Sequence, residues 1–253
     1  MKKILSIVGV VAIILMVGCE PPAEISTPNV TAEAINNGGV LRLTWTAITD
    51  ADGYKVFIDG TEAADITETS YDVETPCKKI EVVAYAGTSE SEPATIDLTP
   101  VSTSSVEVWP ASDPSADHPS GISFGTDGSA QALSIQTANH PNIDYYIEDR
   151  NFETAQLMSP LDGNSAVKNT KGNAIAEGSG EENVAPEPGN YESRKPLVVN
   201  GIYWLWFDPT NDGWSAADDH YAKAKVTGYD SATNKYTFEF HYQPQAGIRW
   251  VVE

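Results

Sequence analysis

VLRLTWT, residues 40–46, alternates Leu41, Leu43 and Trp45 with Arg42, Thr44 and Thr46. Successive side chains of a strand point to opposite faces, so this stretch reads as a half-buried strand with one apolar face. The same period returns in GYKVFIDG, residues 53–60. There Tyr54, Val56 and Ile58 alternate with Lys55 and Phe57, and the strand stops at Asp59-Gly60, a hairpin signal. KKIEVVAYAG, residues 78–87, puts Ile80, Val82 and Ala84 on one face, and SESEPATIDL, residues 89–98, supplies a turn and a last strand. Short strands at about ten-residue spacing, separated by turn residues, indicate an antiparallel sandwich.

These features fall in a recognisable order: LTW with Trp45 on the second strand, GYKV with Tyr54 on the third, TSYDV around Tyr71, VVA on the sixth, and SEPA ahead of the seventh. In that order the chain resembles a fibronectin type III domain over residues 29–100. The resemblance implies a sandwich that serves as a spacer or binding module, since such a fold does not by itself give a ligand. One position departs from the family. Lys78 stands six residues before Ala84, where the family's corner tyrosine falls, so the turn around Pro76 is expected to be held by other means. No Arg-Gly-Asp tripeptide is present to imply integrin-type recognition.

After Pro100, VSTSS reads as a compact linker into a second unit, residues 101–253. SVEVW, GISFGTD, AQALSIQT, IDYYIED and TAQLMSP read as strands, the second and third joined through Asp127-Gly128. Residues 160–196 carry glycines, prolines and charges with little periodicity, and Ala166 to Ile175 is the one strand candidate among them. LVV-NG-IYWLWF predicts a hairpin on Asn200-Gly201. Its second arm has Tyr203, Leu205 and Phe207 on one face and Trp204 and Trp206 on the other, as a central strand covered on both sides would. HYAKAKVTGY, KYTFEFHYQ and GIRWVV predict a closing meander. The expected fold class is therefore all-β: a fibronectin type III sandwich, then a second antiparallel sandwich or flattened barrel.

The chain opens on MKK and a 14-residue run, ILSIVGVVAIILMV, too short for the roughly 20 residues a membrane-spanning helix needs. Such a basic start and apolar run is a secretory signal. Its end, Met16-Val17-Gly18-Cys19, resembles a bacterial lipobox, with Met16 in the place of the usual Leu. The resemblance implies a lipoprotein signal peptide over residues 1–18 and lipid attachment at Cys19. Two or three acyl chains, at about 0.8 kcal/mol per buried methylene, would then hold the protein on a bilayer. Residues 19–28, with prolines at 21, 22 and 28, read as a tether. Glu20 lacks the Asp that often retains lipoproteins at an inner membrane, which points to the outer membrane or cell surface. Cys77, the second of two cysteines, is left without an intramolecular partner.

With 36 acidic against 15 basic residues, the chain repels phosphate backbones, which argues against nucleic acid as a partner. The sharpest polar motif is DPTNDGWSAADD, residues 208–219. Counted as a twelve-residue calcium loop, it offers Asp208, Thr210, Asp212 and Asp219 as oxygen ligands, with Gly213 at the sharp turn. Local side-chain turns by its Asp and Asn residues are the other reading of the same loop. Trp214, within it, is the tryptophan expected to be exposed and ligand-facing, whereas Trp204, Trp206 and Trp250 sit in apolar strands and read as core. Of the four histidines, His118 and His140 precede prolines, while His220 and His241 lie on strands that could pair. YAKAKV…YTFEFHYQ, with IDYYI upstream, resembles the haem-capturing HmuY-like envelope lipoproteins over about a third of the second unit. No GxSxG, HExxH, P-loop or dinucleotide fingerprint is present, so no enzyme is expected. The expectation is a lipid-anchored envelope module that binds an extracellular polysaccharide or protein, with no cofactor other than calcium. The alternatives are a haem- or other ligand-capturing lipoprotein, and a glycoside-active enzyme whose carboxylates come from distant segments.

Overall fold

A computed structural model describes residues 24–113 and 115–253, so Cys19, the signal segment and the start of the tether lie outside the described residues. In the first unit the strands are β1 (Val30–Ile35), β2 (Val40–Trp45), β3 (Gly53–Ile58), β4 (Thr61–Ile66), β5 (Ser70–Val73), β6 (Lys79–Ala86), β7 (Ser89–Glu90) and β8 (Ala94–Asp97). One sheet runs β1-β2-β5. The other runs β4-β3-β6, with β7 and β8 sharing the far edge of β6. This three-on-four sandwich is fibronectin type III-like, and the alternation in VLRLTW is visible as Leu41, Leu43 and Trp45 buried between the sheets. Trp45 meets Tyr54 edge-on at 5.3 Å, and the Tyr54 hydroxyl accepts a hydrogen bond from the Ile48 amide.

The corner that lacks its tyrosine is closed from the other side. Asp59, at the tip of the β3–β4 hairpin, accepts hydrogen bonds from the amides of both Lys78 (3.0 Å) and Lys79 (2.9 Å) through one carboxylate oxygen. Charge-assisted bonds are the stronger kind, and Asp59→Ala should lower stability by about 1–2 kcal/mol in a denaturant melt. An unchanged midpoint would show that the Pro76 turn holds this corner alone. Beside it Cys77 is fully buried in the core, and burial pushes its thiol up to about 11.

The second unit is a sandwich of two five-stranded antiparallel sheets. Its strands are β9 (Val101–Val108), β10 (Gly121–Phe124), β11 (Ala130–Leu133), β12 (Tyr145–Glu148), β13 (Gln156–Met158), β14 (Ala174–Gly178), β15 (Arg194–Pro196), β16 (Ile202–Phe207), β17 (His220–Asp230) and β18 (Lys235–Tyr242). The sheet orders are β11-β10-β12-β13-β15 and β14-β16-β17-β18-β9. Between them lies a core rich in aromatics, including Tyr145, Tyr203, Phe207, Phe238 and Phe240. As its two apolar faces require, β16 is central. Tyr203, Leu205 and Phe207 face the core between the sheets, and Trp204 faces a second cluster on the outer side.

Four expectations are corrected. VSTSS is no linker: β9 starts at Val101 and pairs with β18 along its length. The strand within residues 160–196 is Ala174–Gly178, later than expected, and β15 follows it. Asn200-Gly201 makes a tight turn, with Asn200 at φ 65°, but it carries the chain from one sheet to the other. The Tyr203 hydroxyl fixes that corner by donating to Pro196 O (2.7 Å) and accepting from the Val198 amide (2.9 Å).

GIRWVV is the fourth correction. It forms no strand, apart from a single bridge between Trp250 and Val184. Instead Ile248 and Trp250, 0% and 1% exposed, enter the core of the first unit. Between them Arg249 donates from its amide to Gly38 O (3.0 Å) and from Nε to Asn37 O (2.8 Å), both in the β1–β2 turn. Two glycines permit this approach. A Cβ on Gly38, at φ +78°, would stand 2.1 Å from Gly247 O, and one on Gly247 would stand 2.6 Å from the Cα of Ala216. The end of the second unit thus completes the first.

Candidate functional site

The 208–219 loop lies where this strap passes. Asp208 is buried and turned inward, its carboxylate accepting from the amides of Asn211, Asp212 and Gly213. Thr210 Oγ1 donates to the exposed Asp212 (2.8 Å). Asp219 is buried, and its Oδ2 accepts from Trp206 Nε1 (2.7 Å) and from the Ser215 amide (3.0 Å). The four expected calcium ligands therefore do not converge, and among the described residues no three or more His, Cys, Asp or Glu side chains form a group that could hold a metal ion. Asp208 and Asp219 Oδ2 accept from the loop's own amides, as in local side-chain turns. Trp214 is half-buried, not exposed. Its indole donates to Gly247 O (3.2 Å), and its ring packs against the cores on both sides of the strap.

His220 and His241 part company as well. Ala222 pairs with Tyr242 and Lys223 with His241, which places His220 and Tyr242 on the inner face of the sheet and His241 on the outer. A single haem or metal between the two histidines is thus excluded by the pleat. His241 Nδ1 lies 2.9 Å from Ser102 Oγ, at the edge strand β9.

What the fold does assemble is a cleft of about 150 Å³ at one open end of the second sandwich, bordered by the 208–219 loop. Phe124 from the end of β10, Phe207 from the end of β16, and Tyr242 from the end of β18 form one continuous wall. Phe124 meets Phe207 edge-on at 4.8 Å and stacks on Tyr242 at 5.6 Å. His220, opening β17, also stacks on Tyr242, at 5.2 Å. Gly128, in the β10–β11 hairpin at φ +79°, lets Tyr242 lie against that turn, since a Cβ there would come within 2.4 Å of the ring.

The floor is polar. Asp144 is buried and takes Lys171 Nζ at 2.7 Å on one oxygen and the Phe124 amide at 2.8 Å on the other. Burial pushes this carboxyl up, against the pull of the lysine. Asn173 bridges onward, donating to Asp144 O and accepting from the Asp208 amide, so the floor and the acidic loop are one network. At the rim stand Pro209 and Asp218. Burial holds the His220 ring below its ordinary pKa, and its Nδ1 donates to Gln243 O (3.1 Å), leaving Nε2 as an acceptor. Aromatic walls with a few convergent polar groups are the chemistry of a small-ligand site, though the volume, below the roughly 300–1,000 Å³ of drug-sized pockets, suits a single ring.

Sequence reasoning missed this cleft. Its aromatics come from three strand ends far apart in the chain, and each reads locally as core. The one available signal was the turn pair Asp127-Gly128, which seats the wall but does not name it.

Compared with known proteins, no protein-family model matches the chain, and no curated protein does. Among solved structures it is similar to a mutant form of the FN3tt domain, 24% identical over 29% of this chain and 92% of that one, with a TM-score of 0.26. The FN3tt crystal structure itself is 23% identical over 29% and 90%, with a TM-score of 0.26. A two-domain fibronectin type III segment of chicken tenascin is 17% identical over 82% of this chain and 94% of that one, with a TM-score of 0.24. The fibronectin type III-like character of the first unit rests on its own strand order and register.

Proposed function

We propose that this is a non-catalytic, lipid-anchored binding protein of a bacterial cell envelope, whose second unit captures an extracellular glycan in the aromatic cleft. The anchor is Cys19, on the lipobox resemblance, and the location is the outer membrane or cell surface. The carrying observation is the wall of Phe124, Phe207, Tyr242 and His220 above a polar floor. Aromatic faces pack on the apolar face of a sugar ring while Lys171, Asp218 and His220 Nε2 supply donors and acceptors for its hydroxyls. Asp144 is held by three hydrogen-bonding partners, which favours a structural carboxylate over an acid–base catalyst.

Affinity electrophoresis through gels containing starch, dextran, laminarin or xylan tests this reading. At least one polymer should retard the protein, and Tyr242→Ala should weaken that retardation about tenfold, the value of one aromatic contact near 1.4 kcal/mol. Asp218→Asn should weaken it less, with the melting temperature kept. Retardation equal in all three proteins would remove the cleft from the account, and sugar release from the polymer would replace the module with an enzyme. Separately, Cys19→Ala should shift the protein from the membrane fraction to the soluble one.

A further inference from the structure

A larger concavity lies on the outer face of the β11-β10-β12-β13-β15 sheet, beyond the far end of β12. It is an open groove of about 550 Å³, more than three times the volume of the aromatic cleft. At its floor are Phe152 and Ala166, both half-buried against the outer cluster of that sheet. Its walls carry Arg150, Asn151 and Asn164, all exposed. Of the chain's four arginines, Arg150 lines the groove and Arg194 packs on its Phe152, and each is paired with a buried carboxylate. Arg150 donates from Nε (2.8 Å) and Nη2 (2.6 Å) to the two oxygens of Glu148. Arg194 donates to Asp162 (3.2 Å) while its guanidinium lies over the Phe152 ring at 5.3 Å. Both guanidiniums are thus paired in charge, and Phe152, partly buried, keeps part of its ring open to the groove.

The lining therefore has no net charge, one aromatic ring, and planar side-chain amides that both donate and accept. An anion is repelled by the acidic chain as a whole, and the one carboxylate among the described lining residues, Glu148, is already paired with Arg150, which disfavours a cation. We infer that the groove is a second glycan site, taking several consecutive residues of a neutral polysaccharide across Phe152, Asn151 and Asn164. This inference rests on the glycan-binding reading of the protein. The two sites lie toward opposite ends of β12, so one polymer chain or two neighbouring chains would engage the protein at two points and gain from the raised effective concentration.

The same polysaccharide gels, with polygalacturonate added as an anionic polymer, carry the test on the full chain. Phe152→Leu keeps the apolar packing and removes the aromatic ring, and Asn164→Ala removes an exposed amide. Each should weaken retardation by the neutral polymer about tenfold, and a Phe152→Leu, Tyr242→Ala double variant should lose more than either single one. If Tyr242→Ala weakens binding while Phe152→Leu and Asn164→Ala do not, the groove is overturned and the cleft reading stands. Retardation by polygalacturonate alone overturns the neutral-glycan assignment, and no retardation by any polymer overturns both readings.

Discussion

Trp250→Ala should lower the stability of the whole chain by about 3–5 kcal/mol, the usual cost of emptying a buried tryptophan site. Trp250 belongs by sequence to the second unit, yet its side chain fills the core of the first, beside Leu41, Leu43 and Trp45. Its carbonyl accepts from Gln243 Nε2 (2.6 Å), and the same amide nitrogen also donates to Leu98 O (3.2 Å), at the end of the first unit. The cavity therefore opens in one unit while the strap that loosens belongs to the other. Because domains are stable by only about 5–15 kcal/mol, the loss is a large share of the total. Thermal melts followed by tryptophan fluorescence and by circular dichroism should coincide in the wild type and fall together in the variant. A first unit whose transition stays in place while the second shifts would contradict the shared core.

The second large effect is pH-dependent. Asp219 is buried, its Oδ1 has no hydrogen-bond partner among the described residues, and burial pushes its carboxyl up to about 7. Hydrogen bonds from Trp206 and Ser215 pull the other way, and the charges of Asp208 and Asp218 push it further up. A folded pKa above the ordinary carboxylate value means that the native state binds the proton more tightly than the unfolded chain. Its contribution is thus fully present below about pH 4 and is lost as pH rises through about 7. A shift of this size corresponds to a few kcal/mol, so the melting temperature should fall between about pH 5 and pH 8. Asp219→Asn keeps an acceptor for Trp206 and Ser215 without a titrating group. It should flatten that slope and match or exceed the wild type at pH 8. Equal slopes in the two proteins would place the titration elsewhere.

Much of the fold was legible because it is local. Leu41, Leu43 and Trp45 declare a strand and its buried face within six residues, and Asp59-Gly60 and Asp127-Gly128 declare their hairpins. The alternating aromatics of IYWLWF likewise show a strand covered on both sides. What escaped is what depends on distant partners. VSTSS has the polar alternation of an edge strand and earns its place only by pairing with β18. GIRWVV looks like a strand because it is apolar on both sides, but the two sides are buried by different units: Trp250 in one core, Val251 in another. Trp214 sits among polar neighbours that suggest exposure, while the strap that covers it is more than thirty residues away. The cleft was hidden for the same reason, since Phe124, Phe207 and Tyr242 meet only when both sheets are in place.

Amide chemical-shift mapping shows whether the cleft at the open end of the second sandwich takes the ligand. Isotope-labelled protein spanning residues 24–253 would be titrated with an oligosaccharide of the polymer that retards it most. The expected shifts are at Phe124, Lys171, Phe207, His220 and Tyr242. Shifts confined to the first unit, with these five unmoved at saturation, would rule the cleft out as the binding site.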